Sequence, residues 1–141
     1  MTPVMSNVWP EFFPPGCPRE PHTCRPGIYI RLVSRKPTPP DEDFLPQIID
    51  LTGIRKKEGR GSVCKSCALS VFSSQQAAED FLDNQGEGFR YRCKARMEVR
   101  DGDGVIHSDD SSYPGHCLWW IPMNQEGRSY WRFFRGCVDD A

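Results

Sequence analysis

The alternation of apolar and polar residues predicts two long strands in this chain. Residues 28–34, with the sequence IYIRLVS, follow a Pro-Gly turn and are rich in β-branched and aromatic side chains. Arg31 would share one face of this strand with Tyr29 and Val33, because side chains alternate between faces. Residues 89–99, FRYRCKARMEV, alternate between apolar and mostly charged positions. They are therefore predicted to form a half-buried strand.

A third strand and a helix are predicted between these two segments. Residues 68–72, ALSVF, form a short apolar run that is typical of a buried strand. The following segment, SSQQAAEDFLDNQG, has Ser73 as the predicted N-cap and Gln76 three residues later, which completes a capping box. Gly86 is the predicted helix stop. Apolar residues at helical spacing predict one buried face, formed by Ala77, Ala78, Phe81 and Leu82.

The remaining pattern predicts shorter elements. Residues 43–53, DFLPQIIDLTG, contain a proline and predict one or two short helical turns. The RDGDG sequence after residue 99 predicts a hairpin turn, with Val105 and Ile106 beginning the return strand. Two later apolar segments predict further strands, HCLWWIP at 116–122 and GRSYWRFFRGCV at 127–138.

These elements predict an α+β fold. We expect a single domain at 28–141, with a mostly antiparallel sheet of about five strands, one well-capped helix and one or two short helices. Residues 1–27 are predicted to form an irregular arm, because six prolines and two glycines between residues 9 and 27 prevent regular hydrogen bonding. The arm also carries Trp9, Phe12 and Phe13, which we expect to pack onto the domain.

Composition limits the classes of function. The net charge is −1 with both signs interspersed, which argues against a nucleic-acid-binding protein. No stretch approaches the ~20 apolar residues of a membrane span, and the N-terminus lacks the pattern of a signal peptide, so a cytoplasmic location is expected. The chain has seven cysteines, an odd number. In a reducing compartment, free thiols or metal ligands are the expected states of these residues.

The cysteine spacing leaves three alternatives open. Cys17 and Cys24 could combine with the pair Cys64-x-x-Cys67 to hold zinc through four thiolates. The pair alone could be a redox motif, although it precedes a strand rather than the helix N-terminus that would activate a thiol. The third alternative is two ordinary thiols at the entrance to a strand.

A second group of candidate residues lies in the sequence SYPGHCLWW. Its loop-to-strand junction brings together Tyr113, His116, Trp119 and Trp120, which are predicted binding residues. Adjacent tryptophans in a strand face opposite ways, so one would lie in the core. The other would be covered by the arm or offered to a ligand, and His116 and Trp120 would share a face.

Several short motifs support a resemblance to known proteins. The segments YIRLV, ALSVFSSQQAAEDF and GHCLWW resemble small uncharacterised bacterial proteins that share a mid-strand Arg and a Ser-Val-aromatic strand leading into a helix. The layout is also similar to the ADP-ribosyltransferase fold. That resemblance implies Arg31 as an anchor for NAD phosphates and Ser70 as the serine across the cleft, and no residue matches the catalytic glutamate.

Two functional hypotheses follow from these observations. The first is an accessory or binding module that acts on a protein partner through the arm and the Trp119/Trp120 region, without a catalytic set. The second is an NAD-using, ADP-ribosyltransferase-like enzyme in which Arg31, Ser70 and His116 are the candidate catalytic residues.

Overall fold

A six-stranded antiparallel sheet is the main element of the structure. The structure is a computed structural model, and it describes residues 9, 13–44, 49–50, 53–54, 63–109, 113–122 and 130–138. One regular helix packs on the sheet, so the predicted single α+β domain is confirmed, with one more sheet strand than expected. No helix in these described ranges is long and apolar enough to span a bilayer.

The elements follow one another in a simple order along the chain. They are β1 (Gly27–Val33), a 3-10 helix (Asp41–Phe44), β2 (Ile49–Asp50), β3 (Gly53–Ile54), α1 (Val63–Ser66), β4 (Leu69–Phe72), α2 (Gln75–Asp83), β5 (Cys93–Val99), β6 (Val105–Ser108), β7 (His116–Trp120), a second 3-10 helix (Tyr130–Phe133) and β8 (Phe134–Cys137).

The prediction for the β4–α2 segment is largely confirmed. The apolar run forms β4, and the helix follows after a two-residue gap. The N-cap is Ser74 rather than Ser73, because the Ser74 hydroxyl accepts a hydrogen bond from the backbone N–H of Ala77 at 3.0 Å. This shift by one residue removes the predicted capping box with Gln76. The helix ends at Asp83, before the predicted stop at Gly86.

Three other predicted elements differ from the structure. In the described part of the 43–53 region, Asp43 and Phe44 end one 3-10 turn, Asp41–Phe44, and residues 49–50 and 53–54 form the antiparallel pair β2–β3. The last predicted strand begins as a 3-10 helix and becomes extended only at Phe134. The strand predicted at residue 89 begins at Cys93, and Phe89 and Tyr91 pack with α2 residues instead of continuing the strand alternation.

The predicted hairpin after β5 is wrong. Residues 100–103 do make a turn, closed by the Asp103 N–H, which donates to the Arg100 carbonyl at 3.0 Å, but β6 does not pair with β5. The strand order is β6-β7-β4-β1-β5-β8, so β6 and β5 are separated by three strands. A DG sequence specifies a reversal of direction and leaves the choice of pairing partner to tertiary contacts.

This topology requires the sheet to curl. Four strand spacings in a flat sheet span about 19 Å, close to the greatest reach of the short β5–β6 connection, which is itself folded into a turn. Opposite sides of the sheet accordingly approach each other, since the Trp119 ring of β7, next to edge strand β6, lies 4.8 Å from the Phe133 ring, which precedes edge strand β8. One core cluster joins residues of β1, β4, β5, β6 and β7 on the inner face.

The N-terminal arm fills the remaining gap between β6 and β5. The N–H of Ile106 in β6 donates to the carbonyl of Thr23 at 2.9 Å, and the Cys24 thiol donates to the Arg100 carbonyl at 3.2 Å. Trp9 and Phe13 stack at 5.6 Å and pack on a cluster that includes Trp120. The predicted packing of the arm aromatics is therefore observed for these two residues, and Phe12 lies outside the described residues.

A disulfide links the arm to α1, the short helix that precedes β4. Cys17 and Cys64 are bonded, with their Cα atoms 5.6 Å apart and a sequence separation of 47. The Cys64 carbonyl also accepts a hydrogen bond from the Trp120 indole at 2.8 Å. This covalent link differs from the free thiols or metal ligands that the sequence favoured.

The crossover turn gives a sharp test of the curled sheet. Gly104 has φ +124°, and a Cβ at this position would collide with the Trp120 carbonyl. We expect Gly104→Ala to lower the free energy of unfolding by about 3 kcal/mol or more, since steric overlap adds to backbone strain. Gly102→Ala is the matched control, because Gly102 also has a positive φ of 89° but open space around it. Urea unfolding should show a smaller loss of about 1–2 kcal/mol for the control; equal losses would contradict the close approach.

The disulfide provides a second test of the arm. The double variant Cys17→Ser/Cys64→Ser should lose up to about 4 kcal/mol of unfolding free energy, because the open arm regains its chain entropy. Urea titrations with and without dithiothreitol would measure the effect. Cys24→Ser serves as the control and should show no dependence on the reductant beyond that of the parent protein.

Candidate functional site

Ser70 and His116 lie together on the outer face of the sheet. β4 and β7 are antiparallel neighbours in which Ser70 is opposite Leu118 and Phe72 is opposite His116. The alternation of side chains places both Ser70 and His116 on the face away from the main core, one diagonal step apart. Ser70 Oγ and His116 Nε2 form a short hydrogen bond there.

The other ring nitrogen of His116 faces Asp109. His116 Nδ1 lies 3.2 Å from the Asp109 backbone carbonyl and 3.3 Å from its Oδ2. A carbonyl and an ionised carboxylate can only accept hydrogen bonds, so Nδ1 carries the ring proton in the neutral imidazole. Nε2 is then left as an acceptor for the Ser70 hydroxyl proton. The three side chains thus form a serine–histidine–aspartate chain.

Asp109 was not identified from the sequence. It follows the last residue of β6, and its N–H donates to the His116 carbonyl at 2.8 Å, which extends the β6–β7 ladder by one residue. Its other carboxylate oxygen lies 3.5 Å from the ammonium of Lys65, an exposed residue of α1. The sequence shows an acidic residue at the end of a strand. Which neighbouring strand this residue faces depends on the β6–β7 pairing, which the sequence does not reveal.

Apolar packing holds the His116 ring in this position. The ring lies against Phe72, with centroids 5.3 Å apart, and is 18% exposed as a side chain. Gly115 precedes it with φ +82°, and a Cβ at residue 115 would lie 2.6 Å from the Ala77 Cβ of α2. The close approach of this turn to the helix therefore requires glycine and fixes where β7 begins.

Arg31 contacts the same strand but from the inner side. Its Nη1 donates to the Ser70 carbonyl at 2.8 Å, and its Nε donates to the Asp43 carbonyl at 3.0 Å. Part of the side chain is accessible, but the guanidinium is enclosed, and this desolvation lowers the pKa of Arg31 to about 10 while Asp43 opposes the shift. Arg31 and the Ser70 hydroxyl thus lie near each other on opposite faces of the sheet.

The aromatic candidates separate into buried and accessible residues. Trp119 lies in the main core and Trp120 lies under the arm, with exposed fractions of 0% and 3%. Neither indole presents a ring face to solvent in this structure. Tyr113 is partly exposed and packs edge-on against Phe81 of α2 at 4.7 Å. Of the four predicted binding residues, Tyr113 and His116 therefore retain accessible side chains.

The four cysteines proposed for zinc do not form a thiolate set. Cys17 and Cys64 are consumed by their disulfide, and a disulfide sulfur cannot supply the thiolate that zinc requires. The Cys24 thiol bonds to the Arg100 carbonyl, while burial raises the pKa of the Cys67 thiol to about 11. Among the residues that the structure describes, no three His, Cys, Asp or Glu side chains are grouped to hold a metal.

Comparison with protein families, with curated protein sequences and with solved structures finds no match to this chain. The functional argument consequently depends on the site geometry.

The hydrogen-bond pattern predicts different tautomers for the three histidines. His116 should carry its proton on Nδ1, whereas His22 and His107 should carry it on Nε2, because their Nε2 atoms face the Pro18 and Pro21 carbonyls at 2.8 and 2.9 Å. Long-range ¹H–¹⁵N correlation spectra above the titration range distinguish the two forms. His22 and His107 act as internal controls, and an Nε2–H form of His116 would contradict the proposed hydrogen-bond chain.

Proposed function

We propose that this protein is a small serine-dependent hydrolase or acyltransferase with Ser70 as nucleophile. The observation that carries the proposal is the Ser70–His116–Asp109 chain. A serine hydroxyl is a weak nucleophile until a base accepts its proton, and a histidine fixed by a carboxylate is the arrangement that supplies this base. Ser70 is also partly accessible, which a nucleophile requires.

Each residue has a defined role in the proposed reaction. Ser70 Oγ attacks an acyl carbonyl carbon while its proton passes to His116 Nε2, and Asp109 stabilises the resulting imidazolium. His116 then gives this proton to the leaving group as the acyl bond breaks, which leaves an ester on Ser70. Water, deprotonated by the same Nε2, attacks the ester and regenerates the Ser70 hydroxyl.

The alternative of NAD chemistry uses the same Ser70 and His116 with a different third residue. The NAD alternative needs the Arg31 guanidinium to hold phosphates. Two N–H groups of Arg31 already donate to backbone carbonyls. These hydrogen bonds of Arg31 argue against a phosphate-binding role and therefore favour acyl transfer over NAD chemistry. An NMR titration with millimolar NAD tests the alternative, and saturable shifts at Ser70 and His116 would favour the NAD-using enzyme.

A second candidate function is a binding module for a protein partner. It is favoured by an open groove of about 490 Å³ between α2 and the turn at 113–115, a volume within the range of ligand pockets. The groove includes Tyr113, one of the predicted binding residues, and does not include Ser70 or His116. Binding there is compatible with catalysis at Ser70.

A fluorophosphonate probe and p-nitrophenyl acetate test the catalytic proposal. The parent protein should be labelled at one serine, located at Ser70 by mass spectrometry, and should hydrolyse the ester. Ser70→Ala should abolish labelling and turnover. Asp109→Asn should reduce turnover by about 10²- to 10⁴-fold, because the imidazolium formed during the reaction loses the carboxylate charge that stabilises it.

Ser73→Ala is the matched control for this experiment. Ser73 is an exposed serine three residues after Ser70, and it lacks a histidine base among the described contacts. The control should keep full labelling and turnover. Absence of labelling in the folded parent protein, or labelling that survives Ser70→Ala, would refute the proposal.

A further inference from the structure

The groove beside α2 combines aromatic walls with a carboxylate. Phe81 and Tyr113 meet at an interplanar angle of 72°, so the two rings form a corner rather than a flat surface. Ala77 and Pro114 extend the apolar lining, and Asp80 and Asn84 provide the polar atoms. None of the six lining residues is cationic.

This combination favours a positively charged occupant. The face of an aromatic ring attracts a cation through the ring quadrupole, and a nearby carboxylate adds Coulomb attraction. Asp80 keeps its charge available because its contact with the Gln76 amide at 2.9 Å involves a neutral donor. Asp83 is exposed on the same helix but does not line the groove.

One cation just beyond the C-terminal end of the helix is already engaged. Arg92 donates to the carbonyls of Gln85 and Gly86 just beyond the C-terminus of α2. It therefore offsets the partial negative charge of those carbonyls but is not among the groove residues. The charge that remains inside the groove is that of Asp80.

We propose that this groove binds the alkylammonium group of a lysine side chain on a partner protein. The aliphatic stem would lie along Pro114 and Ala77, while the ammonium would approach the Phe81–Tyr113 corner and the Asp80 carboxylate. This inference rests on the second candidate function and names the chemistry that recognises the partner. It does not depend on the reactivity of Ser70.

Peptide titrations followed by ¹H–¹⁵N NMR test the proposal. The probe is acetyl-Gly-Lys-Gly-amide, and its neutral analogue contains norleucine in place of lysine. We expect saturable shifts at residues 77–84 and 113–115 with the lysine peptide, and at least about fivefold weaker binding of the norleucine peptide. Equal binding of both peptides, or no shifts with either, would overturn the proposal.

Three variants locate the interaction. Asp80→Asn should weaken lysine-peptide binding about fivefold or more, and Tyr113→Leu should do the same while retaining apolar volume. Asp83→Asn is the matched control, since it removes an exposed carboxylate of the same helix that does not line the groove. An equal loss for Asp83→Asn would indicate general charge attraction and reject the groove.

Ser70→Ala separates this inference from the catalytic proposal. Undiminished peptide binding by Ser70→Ala is expected, because Ser70 is not a groove residue. A chain that binds the peptide without fluorophosphonate labelling would retain the lysine site and lose the hydrolase. A chain that is labelled without binding would show the reverse.

Discussion

The short connection between β5 and β6 is the constraint on which the rest of the structure depends. It joins strands that are separated in the sheet by β1, β4 and β7, so the sheet must bend until its edges approach each other. This curvature creates an inner face for the main core. It also brings the Asp103 carbonyl to the Trp119 indole at 2.8 Å, which fixes the turn against β7.

The curled sheet divides structural and chemical roles between its faces. Arg31 works from the inner face, where its guanidinium joins β1, β4 and the Asp41–Phe44 helix through two carbonyls. β1 and β4 share only the Ile30–Phe72 pair in their register, so this side-chain bridge supplements a short ladder. Ser70 and His116 project from the outer face, where both side chains are partly accessible.

Local sequence patterns predicted the elements whose contacts are also local. The β4 run and the α2 periodicity could be identified because strand alternation and helical spacing act within about ten residues. The same alternation correctly indicated that His116 and Trp120 share a face. Ser70 became a candidate through the resemblance to the ADP-ribosyltransferase fold, which implies a serine across the NAD cleft, and not through the contact with His116.

The elements that sequence could not predict depend on distant contacts. The RDGDG sequence is compatible with both a hairpin and a crossover, because the choice depends on the close approach of Gly104 to the Trp120 carbonyl. Asp109 lies beside His116 because β6 pairs with β7, and Cys17 lies beside Cys64 because of where the arm packs. Pairing between strands and closure by the arm are both set by the completed fold.

The arm also imposes an order on folding during synthesis. Residues 21–26 are made early, but their hydrogen-bond partners at Arg100, Ile106 and Ser108 are made much later. Until those residues have left the ribosome, the arm lacks its partners beside β5 and β6, and the gap between these two strands stays open. Closure of this gap by the arm is therefore a late event, because it joins residues 21–26 to residues 100–108.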